Sequence, residues 1–109
     1  MDELRSWLGL YTLPQCGVAT VFKLLKLFST PAALLSASQA ALRNVNVTER
    51  LITHLKKPDW KRVETCLAWR EKGGRDILHW QDPRYPRLLR EIASPPLILF
   101  IEGDTSLLQ

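Results

Sequence analysis

Through the first two thirds of the chain, apolar residues recur with helical spacing. Leu4, Trp7, Leu8 and Tyr11 fall at i, i+3, i+4 and i+7, one stripe of an amphipathic helix. Asp2 and Glu3 precede and open that stripe, where negative charge complements the helix dipole. "TLPQCG" then punctuates with Pro14 and Gly17, and Val21, Leu24, Leu25 and Phe28 repeat the same spacing, which predicts a second helix over 18–28. "STPAALL" restarts a helix, with Ser29 or Thr30 as cap and Pro31 in its first turn. "SASQAALRNV" gives another, capped by Ser36 or Ser38. Thr48 caps a helix that Pro58 stops, and Asp59 caps a last one that Gly73-Gly74 end. In that last helix Trp60, Val63 and Leu67 are expected to face inward.

After Gly74 the pattern changes. "DILHW" is short and β-prone, "YPRLLREI" reads as two helical turns, and "LILFIEG" is an apolar run bounded by Pro and Gly. Such a run predicts a strand buried on both faces. The connection over 81–96 is long enough for a crossover between parallel strands. The expected fold class is therefore mainly α, a helical bundle over 1–74, followed over 75–109 by a β-α-β unit. Two strands and one short helix bury little by themselves, so this unit reads as the truncated entry to a larger α/β domain. It should lean on the bundle through Trp80 and Leu88, or self-associate through its open strand edge.

Composition agrees with a packed chain. Of 109 residues 46% are hydrophobic and the net charge is only +4, which excludes a disordered polyelectrolyte. No apolar run approaches the roughly 20 residues of a membrane span, and the start "MDELRSWLGLY" is no secretory signal. No membrane role and a cytoplasmic setting are the expectation. Cys16 and Cys66 fit no metal spacing and read as reduced thiols. The charge excess arises wholly within 1–58, from Arg5, Lys23, Lys26, Arg43, Arg50, Lys56 and Lys57 against three acids. That favours a polyanion partner for the helical half; a solvated basic surface is the other reading.

The turn in "LPQCGVATVFKLLKLF" is the place to look for such a partner. A helix, a tight Gly-containing turn and a second helix make the helix-hairpin-helix element, whose usual turn is Leu-Pro-Gly-hydrophobic-Gly. Its turn backbone approaches a phosphate, and free amides at the second helix point at the anion. Here Leu13, Pro14, Cys16 and Gly17 match, with Gln15 at the first Gly position. Gln15, Cys16, Gly17, Lys23 and Lys26 are thus the candidate nucleic-acid-binding residues. "RNVNVTERLI" offers a weaker second turn at Asn44 and Asn46. The competing reading is a helix stop at Gly17 in a bundle made for protein contacts.

One family shares the combination. A helical module of helix-hairpin-helix or SAM-like type followed by "LHWQDPRYPRLLREIASPPLILFIEGD" resembles the DNA-processing protein A family, also called Smf. The residues that carry the likeness are Asp82, Tyr85, Pro86, Leu89, Pro95, Pro96, Leu97–Ile101 and Gly103. The resemblance implies an extended Rossmann-like domain that binds single-stranded DNA and dimerises, a RecA-type recombinase as partner, a role in natural transformation and recombination, and no catalysis, cofactor or metal. The family's Gly-Ser/Thr-Arg phosphate motif does not occur within these 109 residues. The main single-strand site is therefore expected in a part of that domain that this sequence does not include.

The remaining polar and aromatic residues carry alternatives. Trp7, Trp60, Trp69 and Trp80 read as core or interface aromatics, or as base-stacking platforms. Arg84, Arg87 and Arg90 recur every three residues, as a phosphate-facing or a solvated helix face. His54 and His79 lack sequence-local metal partners. Two rival functions stay open: a helical protein-interaction module without direct DNA contact, and a Rossmann-type nucleotide-processing enzyme. The second would need an acidic or Gly-rich active-site motif, which the sequence lacks.

Overall fold

The computed structural model describes residues 3–13, 18–45, 47–92 and 95–103. The chain is mainly helical, in the order α1 (Glu3–Tyr11), α2 (Val18–Phe28), α3 (Pro31–Ser36), α4 (Gln39–Asn44), α5 (Glu49–Lys56), α6 (Trp60–Glu71), β1 (Arg75–His79), α7 (Arg87–Arg90) and β2 (Ile98–Glu102). No helix among the described residues is long and apolar enough to cross a membrane.

The helix starts follow local chemistry. Thr30 Oγ1 accepts from the Ala33 amide at 3.1 Å, Ser38 Oγ from Ala41 at 3.1 Å, Thr48 Oγ1 from Leu51 at 3.2 Å and Asp59 Oδ1 from Arg62 at 3.0 Å. Each satisfies one amide that a first turn leaves without a carbonyl. Pro31 follows Thr30 where a missing N–H costs nothing. Gly73 and Gly74 end α6 with φ of 82° and 62°, a region in which a Cβ would be strained.

At the centre lies α1. It packs on α3, α6 and both strands, so Leu4, Ser6, Trp7, Leu8, Gly9 and Leu10 are all buried. The amphipathic stripe predicts a narrower buried face, and it omits Leu10 because that residue lies off the stripe. One apolar cluster joins Trp7, Leu8, Val21, Leu34, Leu42, Ile52, Leu55 and Val63 of the helices to Ile77, Leu97 and Ile98 of the strand region. Trp7 stacks on His79 with ring centroids 5.4 Å apart and planes 2° from parallel. Trp80 packs on Phe22 of α2, as expected of a segment leaning on the bundle. Leu88 does not take part: it is 78% exposed.

The strand arrangement corrects the parallel β-α-β expectation. β1 and β2 pair antiparallel, from Arg75 opposite Glu102 to His79 opposite Ile98. A parallel crossover needs a helix long enough to return along the sheet, and α7 supplies a single turn. The connection folds back instead. Tyr85 Oη donates to the Pro96 carbonyl at 2.7 Å, and Arg90 donates to the carbonyls of Trp80 at 3.1 Å and Asp82 at 2.7 Å. These bonds hold the start and the end of the connection together, so the chain enters β2 reversed. Burial on both faces of β2 is corrected as well. Ile98 is buried, Leu99 and Ile101 are half-buried, and Phe100 is 41% exposed.

Candidate nucleic-acid interface

Of the five residues singled out for phosphate binding, Gln15, Cys16 and Gly17 lie outside the described residues. Lys23 and Lys26 stand on α2, both exposed, and neither makes an ion pair or hydrogen bond among the described residues. Among the described residues, four arginines are engaged in ion pairs. Arg5 pairs with Glu64, Arg43 with Glu49, Arg75 with Glu102, and Arg84 with both Asp76 and Asp82. The ammonium groups of Lys23 and Lys26 could therefore meet an external anion without breaking a pair among the described residues.

The two lysines border apolar surface. Val21 and Leu24 turn α2 into the core, which leaves Phe22 and Leu25 half-buried at the flank. Phe22 meets Trp80 with centroids 4.7 Å apart and planes at 49°. Beside this pair lies a cavity of about 370 Å³ lined by Phe22, Leu25, Lys26, Ser29, Trp80 and Gln81. Its volume falls at the small end of ligand pockets. Ser29 closes α2 in the left-handed region, with φ 71° and its amide on the Leu25 carbonyl at 2.8 Å. Glycine or Asn usually fills that position, so a serine there does not announce the turn. The cavity is thus lined by residues of α2 and its end together with two residues that follow β1. No motif search joins positions so far apart, although Trp80 lies within the family-like stretch.

The residues of that stretch form a folded strap. Asp82 donates its amide to the His79 carbonyl at 3.0 Å and accepts the Tyr85 amide at 2.9 Å through its carbonyl. Its Oδ1 takes the Arg84 amide at 2.8 Å, and its Oδ2 takes Arg84 Nη2 at 3.2 Å. Burial works against ionising Asp82, but the hydrogen bonds and charge of Arg84 outweigh it and hold the carboxyl below its ordinary value. Tyr85 is buried, and burial pushes its phenol above the usual tyrosine value, against the opposing charge of Arg90. Pro86 precedes the one-turn α7, where the Leu89 amide bonds the Pro86 carbonyl at 3.1 Å. Pro95 is buried and Pro96 half-buried at the far end. Gly103 leaves β2 with φ 111° and bonds the Gly74 carbonyl. Asp82, Tyr85, Pro86, Leu89, Pro95, Pro96 and Gly103 therefore shape the β1–β2 connection and its exit.

Arg84, Arg87 and Arg90 do not make one phosphate-facing row. Arg84 is held by two carboxylates. Arg90 spends its donors on backbone carbonyls, with its guanidinium over the rings of Trp80 and Tyr85 at 5.7 and 5.3 Å. Only Arg87 of the three is exposed and without an ion pair among the described residues.

No family model, no curated protein sequence and no solved structure matches the chain.

Proposed function

We propose that this chain is a DNA-handling module of the DNA-processing protein A type, which contacts single-stranded DNA weakly through α2. The observation that carries the reading is the pairing of Lys23 and Lys26, both without an ion pair among the described residues, with the aromatic cavity of Phe22 and Trp80. Single strands are held by cations along the backbone and by aromatic faces against the unstacked bases. A duplex hides its bases and would use the lysines alone. The antiparallel pairing of β1 and β2 is not the entry expected of a Rossmann-like domain. The reading therefore rests on the α2 face and on the Asp82–Pro96 strap, and not on sheet topology. The resemblance also names a RecA-type recombinase as partner and recombination as the setting, and both belong to the same proposal.

The test is a titration of a labelled oligothymidine and a labelled duplex into the 109-residue chain. With two lysines as the cationic contact, the single strand should bind with Kd on the order of 10⁻⁴ M at physiological salt and more weakly as salt rises. Lys23→Glu with Lys26→Glu should abolish binding to both. Trp80→Leu should weaken the single strand selectively. Submicromolar binding untouched by these changes would move the site elsewhere, and no binding at low salt would end the DNA reading.

A further inference from the structure

The peptide group between Trp80 and Gln81 is held at both ends. Its carbonyl accepts from Arg90 Nε at 3.1 Å, and its amide donates to His79 Nδ1 at 3.1 Å. The two residues it joins both line the cavity beside α2. The two grips differ in chemistry. A guanidinium keeps its protons at any ordinary pH. An imidazole nitrogen accepts a hydrogen bond only while it carries no proton, and imidazole is the side chain that gains a proton near neutral pH. With Nδ1 as acceptor, the neutral His79 ring carries its proton on Nε2.

His79 is poorly placed to follow a moving partner. Its ring lies flat on Trp7, with planes 2° from parallel and centroids 5.4 Å apart, and Trp7 is fully buried. Its backbone is tied as well: it ends β1 opposite Ile98, and its carbonyl accepts from the Asp82 amide at 3.0 Å. Protonation therefore sets Nδ1–H against the Gln81 N–H, donor against donor, and the side that yields is the 80–81 peptide. Half-burial of His79 opposes the charge, while two neighbours favour it. One is the face of Trp7, which attracts a cation. The other is Asp82, near enough for the charge of His79 to act on its carboxyl, which lies below its ordinary value and stays ionised near neutral pH. Arg84 is occupied by Asp76 and Asp82, and Arg90 by two carbonyls. Trp7 of α1, Val63 of α6 and Ile98 of β2, which share one core with β1, are uncharged. Lys26 of α2 lines the cavity itself.

We infer that His79 is a positioning residue for the Phe22–Trp80 cavity, and that its protonation releases the cavity wall. Neutral, it holds the 80–81 peptide and with it Trp80 against Phe22. Protonated, it lets that wall go, and the cavity loses its grip on an unstacked base as the pH falls. The ligand in this inference is the single strand and rests on the reading of the α2 face given above; the pH-gated wall does not.

The test follows the 109-residue chain by NMR and by oligonucleotide titration between about pH 5 and 8. The Gln81 amide and Trp80 indole signals should shift with the same midpoint as the His79 ring. The ratio of oligothymidine to duplex affinity cancels the general gain of charge at low pH. It should fall about fivefold or more across that midpoint, the worth of one base–aromatic contact. His79→Asn places an amide oxygen near the position of Nδ1 and takes no proton; it should keep the high ratio and an unshifted Gln81 amide through the whole range. His79→Phe keeps a ring on Trp7 without an acceptor and should show the low ratio at every pH, with circular dichroism confirming that both variants remain folded. A histidine that only packs would give neither the pH dependence nor the rescue by His79→Asn. If the Gln81 and Trp80 signals titrate with His79 but no oligonucleotide binds at any pH, the gated wall is upheld and the DNA reading of the cavity falls. A Gln81 amide that stays fixed while His79 titrates would overturn the inference, as would a His79 that takes no proton in this range, a His79→Asn protein that titrates like the parent, or an affinity ratio that ignores the midpoint.

Discussion

Gly9 sits inside α1 against Trp60 of α6 and Leu35 of α3, and replacing it with alanine sets two effects of known size against each other. In a helix interior alanine is favoured over glycine by about 0.8–1.0 kcal/mol. The new methyl would stand 3.0 Å from Cη2 and 3.2 Å from Cζ3 of Trp60, and 3.3 Å from Cδ1 of Leu35. Ordinary carbon contacts begin near 3.5 Å, so both neighbours must yield. Overpacking of this kind costs roughly 1–3 kcal/mol. Trp60 is half-buried at the start of α6 and yields in part, which puts the cost near the middle of that range. The expected net effect of Gly9→Ala is a loss of about 1 kcal/mol, or about 4 °C in melting temperature for a domain of this size. Thermal and urea melts followed by circular dichroism measure it. The decisive measurement is a double-mutant cycle with Trp60→Phe, which removes Cη2 and Cζ3. The double variant should be more stable than additivity allows, by about 1 kcal/mol. If Gly9→Ala melts above the parent by the full propensity gain, or if the two changes add within about 0.3 kcal/mol, the close approach does not constrain the packing of α1 on α6.

Two further outcomes are expected. Tyr85→Phe keeps the buried ring and deletes the bond to the Pro96 carbonyl; it should cost about 1 kcal/mol and speed amide exchange in 97–99 more than in α1, and an unchanged melt with unchanged exchange would show that the strap closes without that bond. Asp82 has its folded-state pKa lowered, so the stability it contributes is present above the ordinary aspartate value near 3.8 and is lost as the pH falls through the lower folded value; Arg84→Gln should lessen the loss of stability below about pH 4, and an identical acid limb in both proteins would exclude the Asp82–Arg84 pair as its source.

What the residues announced, and what they did not, divides along physical lines. Thr30, Ser38, Thr48 and Asp59 signal helix starts because a cap is a local bond between residues three apart. Gly73 and Gly74 signal an end because a positive φ is a property of one residue. The direction of β2 is different. An apolar run and a connection of that length permit either a parallel or an antiparallel partner, and the choice is made by Tyr85 reaching Pro96 and Arg90 reaching two carbonyls. Those bonds span eight to eleven residues and no periodicity reports them. Leu10 escaped for a related reason: a stripe shows which face of a helix is apolar, but not how many neighbours surround it. At the candidate interface, Lys23 and Lys26 were visible as cations following a turn. Their aromatic companions were not, because Trp80 comes from the far side of α6.

The central position of α1 has a consequence for how the protein is made. Trp7 rests on His79 and Tyr11 on Phe100, so α1 has contacts that β1 and β2 complete only later in synthesis. At about 5–20 residues per second, several seconds separate the synthesis of Trp7 from that of His79, and longer for Phe100. Throughout that interval the surface around Trp7, Leu8 and Leu10 has no sheet to cover it. A ribosome stalled before Ile98 would present that surface continuously. The packing of α1 is thus completed by residues made well after it.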